Sequence, residues 1–421
     1  MNWETLQIAR TGETVHSGRH ASGLQIYVYP KAGYSATYAV IATRYGSIDT
    51  SFAVDGKEIT VPAGIAHYLE HKLFENEDCD AFARFAKTGA SANAYTSFGQ
   101  TAYLFSCTDK VKESLEILLD FVQKPYFTDE NVEKERGIIG QEIRMCEDDP
   151  ERLCMFNLLE SLYQNHPVRI DIAGTVDSIE NITPQLLYDC YHTFYNLHNM
   201  VLVVSGNITT DLVEQVADAT LIHAPAFTLK RHLPAEPSAV TAHRREAHMT
   251  VATPLFYIGF KEAVAQNAIH SGEQLIAAEI LLELLVGRSS ALYSRLMQQG
   301  LINDTFGGGY FEGAGYGTFL FSGESRDPDA VADALCAEIA CFRREGIDVI
   351  RFEEEKHALY GRLISGLNRV ESCGDWLVDD YFYGRKPFGL IDSVASLDVQ
   401  SVYTCLHETL CIDNMAISIV K

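Results

Sequence analysis

The sequence predicts an α+β chain of two homologous α/β-sandwich halves, each a mixed sheet flanked by helices, and three observations predict it. β-rich runs and longer helical runs follow one another in a similar order twice. The strand expected at 101–107 has its counterpart at 318–322, an offset of about 217 in 421 residues. A proline-bearing stretch without a sustained period separates the two passes. Apolar residues make up 47% of the chain, enough for substantial cores. The expected division is a first half over 1–222, a linker over 223–246 and a second half over 247–421.

Taken in order, 24–29 and 35–43 alternate or run apolar between glycine and proline signals and are expected to form a hairpin. A helix follows from Pro62, because a proline in the first helical turn loses no needed hydrogen bond. A short helix over 80–87 leads to a second hairpin, 92–97 with 101–107, around Phe98-Gly99-Gln100. Helices are expected over 112–123, 129–146, 151–163 and 184–194, and the apolar run 200–205 closes this half as a buried strand. The linker holds Pro225, Pro234, Pro237 and a Lys-Arg-His run, which predicts a course over the surface. In the second half a strand is expected over 250–260, helices over 272–286 and 290–298, and strands over 304–311 and 318–322. Helices over 327–344 and 349–365 follow, and a strand over 416–420 ends the chain.

Composition excludes some functions. Lys and Arg number 33 against 57 Asp and Glu, a net charge of −24. Nucleic acid as a partner calls for basic patches, whereas an acidic enclosed cavity favours basic peptides. No apolar segment follows Met1-Asn2-Trp3-Glu4, and no run reaches the length of a membrane span, so no membrane association and a cytoplasmic location are expected. The ten cysteines form no Cys-x-x-Cys pair and are expected as reduced, mostly buried thiols.

The chemistry concentrates in His67-Tyr68-Leu69-Glu70-His71. His67 and His71 are one helical turn apart and project from one face, with Glu70 on the neighbouring line. Two neutral imidazoles at that spacing suit Zn²⁺, and a carboxylate beside them can take a proton from a water. Chance would supply about 0.06 such His-x-x-acid-His matches in a chain of this composition. A hydrolytic zinc site needs a third protein ligand. The candidate stretch is 128–145, a charged helix opened by Thr128-Asp129. Glu135 and Glu142 lie two turns apart on one face of it, while Glu133 points elsewhere. Glu142 sits among Ile138, Ile139 and Ile143, where an unpaired carboxylate would be costly. Glu147 is a further candidate should Glu142 fail.

These residues, together with Gly89-Ala90-Ser91-Ala92-Asn93-Ala94-Tyr95-Thr96-Ser97 and Glu133-Lys134-Glu135-Arg136-Gly137-Ile138-Ile139-Gly140-Gln141-Glu142, resemble the three consecutive motifs of the pitrilysin/insulinase (inverzincin) family of zinc peptidases. The resemblance runs over nearly the whole chain and is nearest to a bacterial branch of that family. It implies His67, His71 and Glu142 as zinc ligands, Glu70 as catalytic base and Glu135 as an outer glutamate orienting a ligand histidine. It implies that Asn93 and Ala94, on an edge strand, pair with the backbone of a peptide substrate. It also implies two halves closing as a clam-shell chamber that admits unfolded peptides or mobile termini.

One departure from the family pattern stands out. Active single-chain members carry in the second half an Arg, and a Tyr seven residues on, that hold the substrate carbonyl. Here those positions hold Met297 and the Asn303/Asp304 region; Arg295 and Tyr310 are the right residue types at the wrong spacing. The resemblance therefore implies a heterodimer in which this chain carries the zinc and a zinc-less homologue supplies the missing groups, or else a homodimer. A non-catalytic assembly or maturation subunit is the alternative. His166, His192 and His198 are expected as structural histidines. The glycines at 307–309, 313, 315 and 317 lack the Lys-Ser/Thr of a phosphate loop and predict a flexible hairpin.

Overall fold

The run Met200–Gly206 is buried at all seven positions, and in the computed structural model of the chain it is the middle strand of a seven-stranded sheet. Residues 1–421 are described apart from Ala9, Asp78 and Ala224. Across the sheet the strands run Glu4–Ile8, Glu13–Arg19, Gln25–Pro30, Met200–Gly206, Thr37–Thr43, Thr101–Cys107, Ser91–Thr96. Met200–Gly206 pairs parallel with Gln25–Pro30 and antiparallel with Thr37–Thr43. The hairpin expected from 24–29 and 35–43 is therefore corrected: both are strands, but a third strand lies between them. A strand apolar on both faces belongs where both its edges are paired and both its faces covered. The expected hairpin of Ser91–Thr96 with Thr101–Cys107 is present, and it leaves Ser91–Thr96 at the sheet's edge.

The second sheet has five strands in the order Arg244–Ala247, Met415–Val420, Leu255–Lys261, Tyr316–Glu324, Gly307–Gly313. A three-stranded sheet of Leu229–Arg231, Ser51–Val54 and Lys57–Thr60 stands apart from both. Two of the strands just named come from the expected linker. Leu229–Arg231 pairs with Ser51–Val54, and Arg244–Ala247 runs parallel to Met415–Val420. Within the same stretch the Glu236 carboxylate accepts hydrogen bonds from the backbone of Gln164, Asn165 and His166 and pairs with buried Lys261. Ala224 of that stretch lies outside the described residues.

Two compact units result, and neither is contiguous in sequence. The first takes Met1–Ile143, Asp171–His232 and Ile364–Gly389; the second takes Arg144–Ile170, Leu233–Leu363 and Leu390–Lys421. The helix Pro150–Leu162 packs on the five-stranded sheet, with Leu158 and Leu162 filling the space beside Gly259 and Tyr163 donating to the Gly317 carbonyl at 3.0 Å. The helix Val370–Phe382 packs on the seven-stranded sheet, where Tyr38 donates to Asp375 at 2.6 Å and Ser205 Oγ to the Val370 carbonyl at 2.6 Å. Each sheet is thus covered by a helix from the other half of the sequence. The division into 1–222, 223–246 and 247–421 remains our proposal for the repeat along the chain; packing exchanges helices across it.

Candidate metal centre and active site

The helix Ile65–Leu73 begins after Gly64, whose φ of 88° is the left-handed conformation that a side chain disfavours. A Cβ there would lie 2.4 Å from the Ala173 carbonyl oxygen. Pro62 lies before this helix rather than in its first turn, a correction: the close approach to Ala173 turns the chain at Gly64 and sets the start. Tyr68, Leu69 and Leu73 are buried in the core of the first unit, and Tyr68 OH donates to the Val132 carbonyl of the helix Asp129–Glu147. The buried face fixes the rotation of the short helix, so that His67 and His71 meet the acidic helix while Glu70 meets the edge strand.

There the side chains converge. His67 Nε2 lies 3.6 Å from Glu142 Oε1, and His71 Nε2 lies 3.6 Å from Glu142 Oε2. One donor atom from each of the three lies within 4.8 Å of the others, and no other such group of His, Cys, Asp or Glu occurs among the described residues. Tetrahedral coordination at about 2.0–2.2 Å places donors about 3.4 Å apart, so two imidazole nitrogens and a carboxylate at these spacings fit a zinc-sized cation. Glu135 Oε1 lies 3.1 Å from His71 Nδ1. Burial pulls the His71 pKa down, yet the Glu135 hydrogen bond and the nearby acids leave it raised overall. Burial acts to raise Glu135, but its bond to His71 prevails and leaves it below the usual carboxylate range.

Glu70 is 8% exposed, and burial raises its pKa above the ordinary value despite the opposing effects of His71 and of a hydrogen bond from Thr96. Thr96 Oγ1 donates to Glu70 Oε2 at 3.0 Å. Sequence reasoning missed Thr96; it lay inside the quoted edge-strand motif, but nothing in the pattern says that its hydroxyl reaches back to the helix. Asn93 is exposed on that strand and accepts the Ala94 N–H through its own Oδ1 at 2.9 Å. Asn93 and Ala94 line, with Glu70, His71 and Glu135, a cavity of about 580 Å³.

Glu142 does not sit buried among isoleucines, contrary to the expectation from sequence. Ile139 and Ile143 are buried, but Ile138 is 48% exposed and the Glu142 side chain 40%. Positions 138 and 142 share one helix face, which points away from the core, so burial cost does not single out Glu142; convergence with the two histidines does. The thiols differ as well: all ten are free, but only Cys107, Cys154, Cys190 and Cys373 are buried. His166 is buried against the Ala314 carbonyl at 3.0 Å, and burial lowers its pKa to about 4, as suits a structural neutral histidine.

The groups weighed for the missing Arg and Tyr are all in the second unit. Arg295 pairs with Glu338 at 2.9 Å, Met297 is 41% exposed, and Asn303 donates to Glu324 at 2.8 Å. Tyr310 donates to Glu262 and lies 3.0 Å from His270 Nε2.

Two imidazoles and a carboxylate converging beside a buried glutamate define, as a class, the donor arrangement of metal-dependent hydrolases. The comparisons with known proteins narrow that class. Residues 57–176 match the model of the insulinase family, peptidase family M16, and residues 181–359 match that of the M16 inactive domain. The chain is 39% identical to the uncharacterized zinc protease YmfH of Bacillus subtilis (strain 168) over 96% of each protein. It superposes on a putative M16-like peptidase from Alicyclobacillus acidocaldarius with a TM-score of 0.93 and 38% identity, covering 100% of this chain and 98% of that one. Over 42% of its length it is 28% identical to a probable mitochondrial-processing peptidase subunit beta of Arabidopsis thaliana, of which 35% is covered. The chain belongs to the insulinase (M16) peptidase family.

Proposed function

We propose that this chain is a zinc-dependent endopeptidase acting on unfolded peptides or peptide precursors, and that it works as the zinc-bearing subunit of a heterodimer. The observation that carries the reading is the convergence of His67, His71 and Glu142 beside Glu70. His67 and His71 would hold zinc through Nε2 and Glu142 through its carboxylate. Bound there, zinc supplies a Lewis acid for the scissile carbonyl and acidity for the attacking water. Glu135 takes the N–H of His71 at Nδ1, which fixes the tautomer that leaves Nε2 free to coordinate. Glu70, raised by burial, accepts the proton of the water and returns it to the leaving amine, with Thr96 holding its carboxylate in place. The edge strand, through Asn93 and Ala94, hydrogen-bonds the backbone of an extended substrate. Such pairing selects chain that is not already folded.

The heterodimer rests on the second unit. With Met297 and the Asn303/Asp304 region at the family's Arg and Tyr positions, the chain does not carry the family's own donors for the developing oxyanion there. A relative named as a processing peptidase subunit supports an assembly in which a homologue without the His-x-x-Glu-His motif supplies them. The free thiols suit the reducing cytoplasm, and among the described residues no helix is long and apolar enough to cross a membrane. Metal analysis after mild purification, with peptide cleavage by the chain alone and with a zinc-less homologue added, tests the reading. About one zinc per chain and cleavage that rises with the partner are expected. No zinc and no cleavage under either condition would leave the non-catalytic assembly subunit.

A further inference from the structure

We propose that the cavity beside Glu70 is a specificity pocket for a lysine or arginine side chain of the substrate, next to the bond to be cleaved. The inference rests on the peptidase reading above and names the side chain that reading leaves open. The cavity runs from Glu70 and His71 past Asn93 and Ala94 to the turn that follows the helix Ile65–Leu73.

Three features of that turn converge on a cation. Phe74 and Phe82 stack with ring centroids 4.3 Å apart and 12° between planes, and Phe82 remains 47% exposed. Such a surface suits the methylene stem of lysine or the flat face of a guanidinium. Glu77 is exposed and has no partner among the described residues. The other carboxylates lining the cavity are engaged: Glu75 with Lys72, Asp80 with the Phe82 amide, Glu135 with His71, Glu70 with Thr96. Asn76 is 7% exposed; its Nδ2 donates to the Lys124 carbonyl at 2.9 Å, while its buried Oδ1 accepts nothing among the described residues. A buried acceptor without a donor is costly, and an incoming N–H relieves that cost. A carboxylate and an acceptor without partners among the described residues, together with an aromatic platform in one cavity, are the complement of a long cationic side chain. Lys134 is the one lysine on the lining.

The test uses the full chain in two arms. In the first, cleavage products of a mixed peptide library are mapped by mass spectrometry with zinc and the homologous partner present, for the native chain and for Glu77→Gln and Glu77→Lys. Lysine or arginine beside the cleaved bond is expected, with the preference falling about tenfold in Glu77→Gln and shifting to acidic residues in Glu77→Lys. In the second, matched fluorescent peptides carrying lysine, norleucine or phenylalanine are bound to Glu70→Gln, with and without Glu77→Gln. The lysine peptide should bind about tenfold more tightly than the norleucine peptide, and Glu77→Gln should erase the difference. Equal binding of lysine and norleucine, tighter binding of phenylalanine, or indifference to Glu77→Gln overturns the pocket. Cleavage without basic preference sinks the pocket and spares the peptidase. Charge-dependent binding without any cleavage sinks the peptidase and spares the pocket.

Discussion

Thr96 Oγ1 donates to Glu70 Oε2 across 3.0 Å, tying the edge strand to the glutamate between the two helix histidines. Through this bond the strand expected to receive substrate also orients the expected base. Thr96→Val removes the donor at nearly constant volume, and turnover should fall about tenfold with metal content unchanged. Thr96→Ser should retain most of the activity. If valine and serine variants lose activity equally, the hydroxyl is not the operative feature.

The acidic residues of the site divide by role, and metal analysis separates them. Glu70→Gln should keep its zinc while losing roughly 10² to 10⁴ in rate. Glu142→Gln should lose zinc outright, and Glu135→Gln should weaken it about 10 to 100-fold through His71. Full zinc retention in Glu142→Gln would move the search for a third ligand elsewhere.

Gly64 sets the start of the histidine helix, and its substitution tests that directly. Gly64→Ala adds a Cβ in a left-handed conformation 2.4 Å from the Ala173 carbonyl oxygen. Strain of that kind costs about 1–3 kcal/mol. A lowered melting temperature together with reduced zinc retention is the expected outcome; an unchanged melting temperature would mean the turn yields freely.

A pH dependence follows from His270, which lies 3.2 Å from Glu262 and 3.5 Å from Glu312 and 5% exposed. Burial lowers its pKa, but the two carboxylates outweigh it and raise it from 6.5 to about 9; Tyr310 is the other titratable group against the ring. A pKa higher folded than unfolded contributes stability in full below about pH 6.5, lost as pH rises through about 9. Urea midpoints at about pH 6 and about pH 9 should therefore differ more in the native chain than in His270→Gln. Parallel shifts in both proteins would count against the pair of carboxylates as the cause.

What could be read in the chain alone was whatever is local. His67 and His71 one turn apart need only the helical repeat, and the helix needs only its apolar side of Tyr68, Leu69 and Leu73. The hairpin of Ser91–Thr96 with Thr101–Cys107 has its partners a few residues apart, so turn chemistry sufficed. Glu135 and Glu142 could be put on one helix face, but the isoleucines around Glu142 misled, since sequence neighbours on a helix point in different directions.

Tertiary structure decided what depends on distant partners. Met200–Gly206 enters between two strands that read as a hairpin because burial on both faces outweighs sequence proximity. The helices Pro150–Leu162 and Val370–Phe382 each cover the sheet of the other half, an exchange that no local pattern encodes because either sheet offers an apolar face. Thr96 owes its place beside Glu70 to the packing of the edge strand against the histidine helix. Side-chain type is written in the sequence, whereas which side chains meet is settled by how the apolar faces pack.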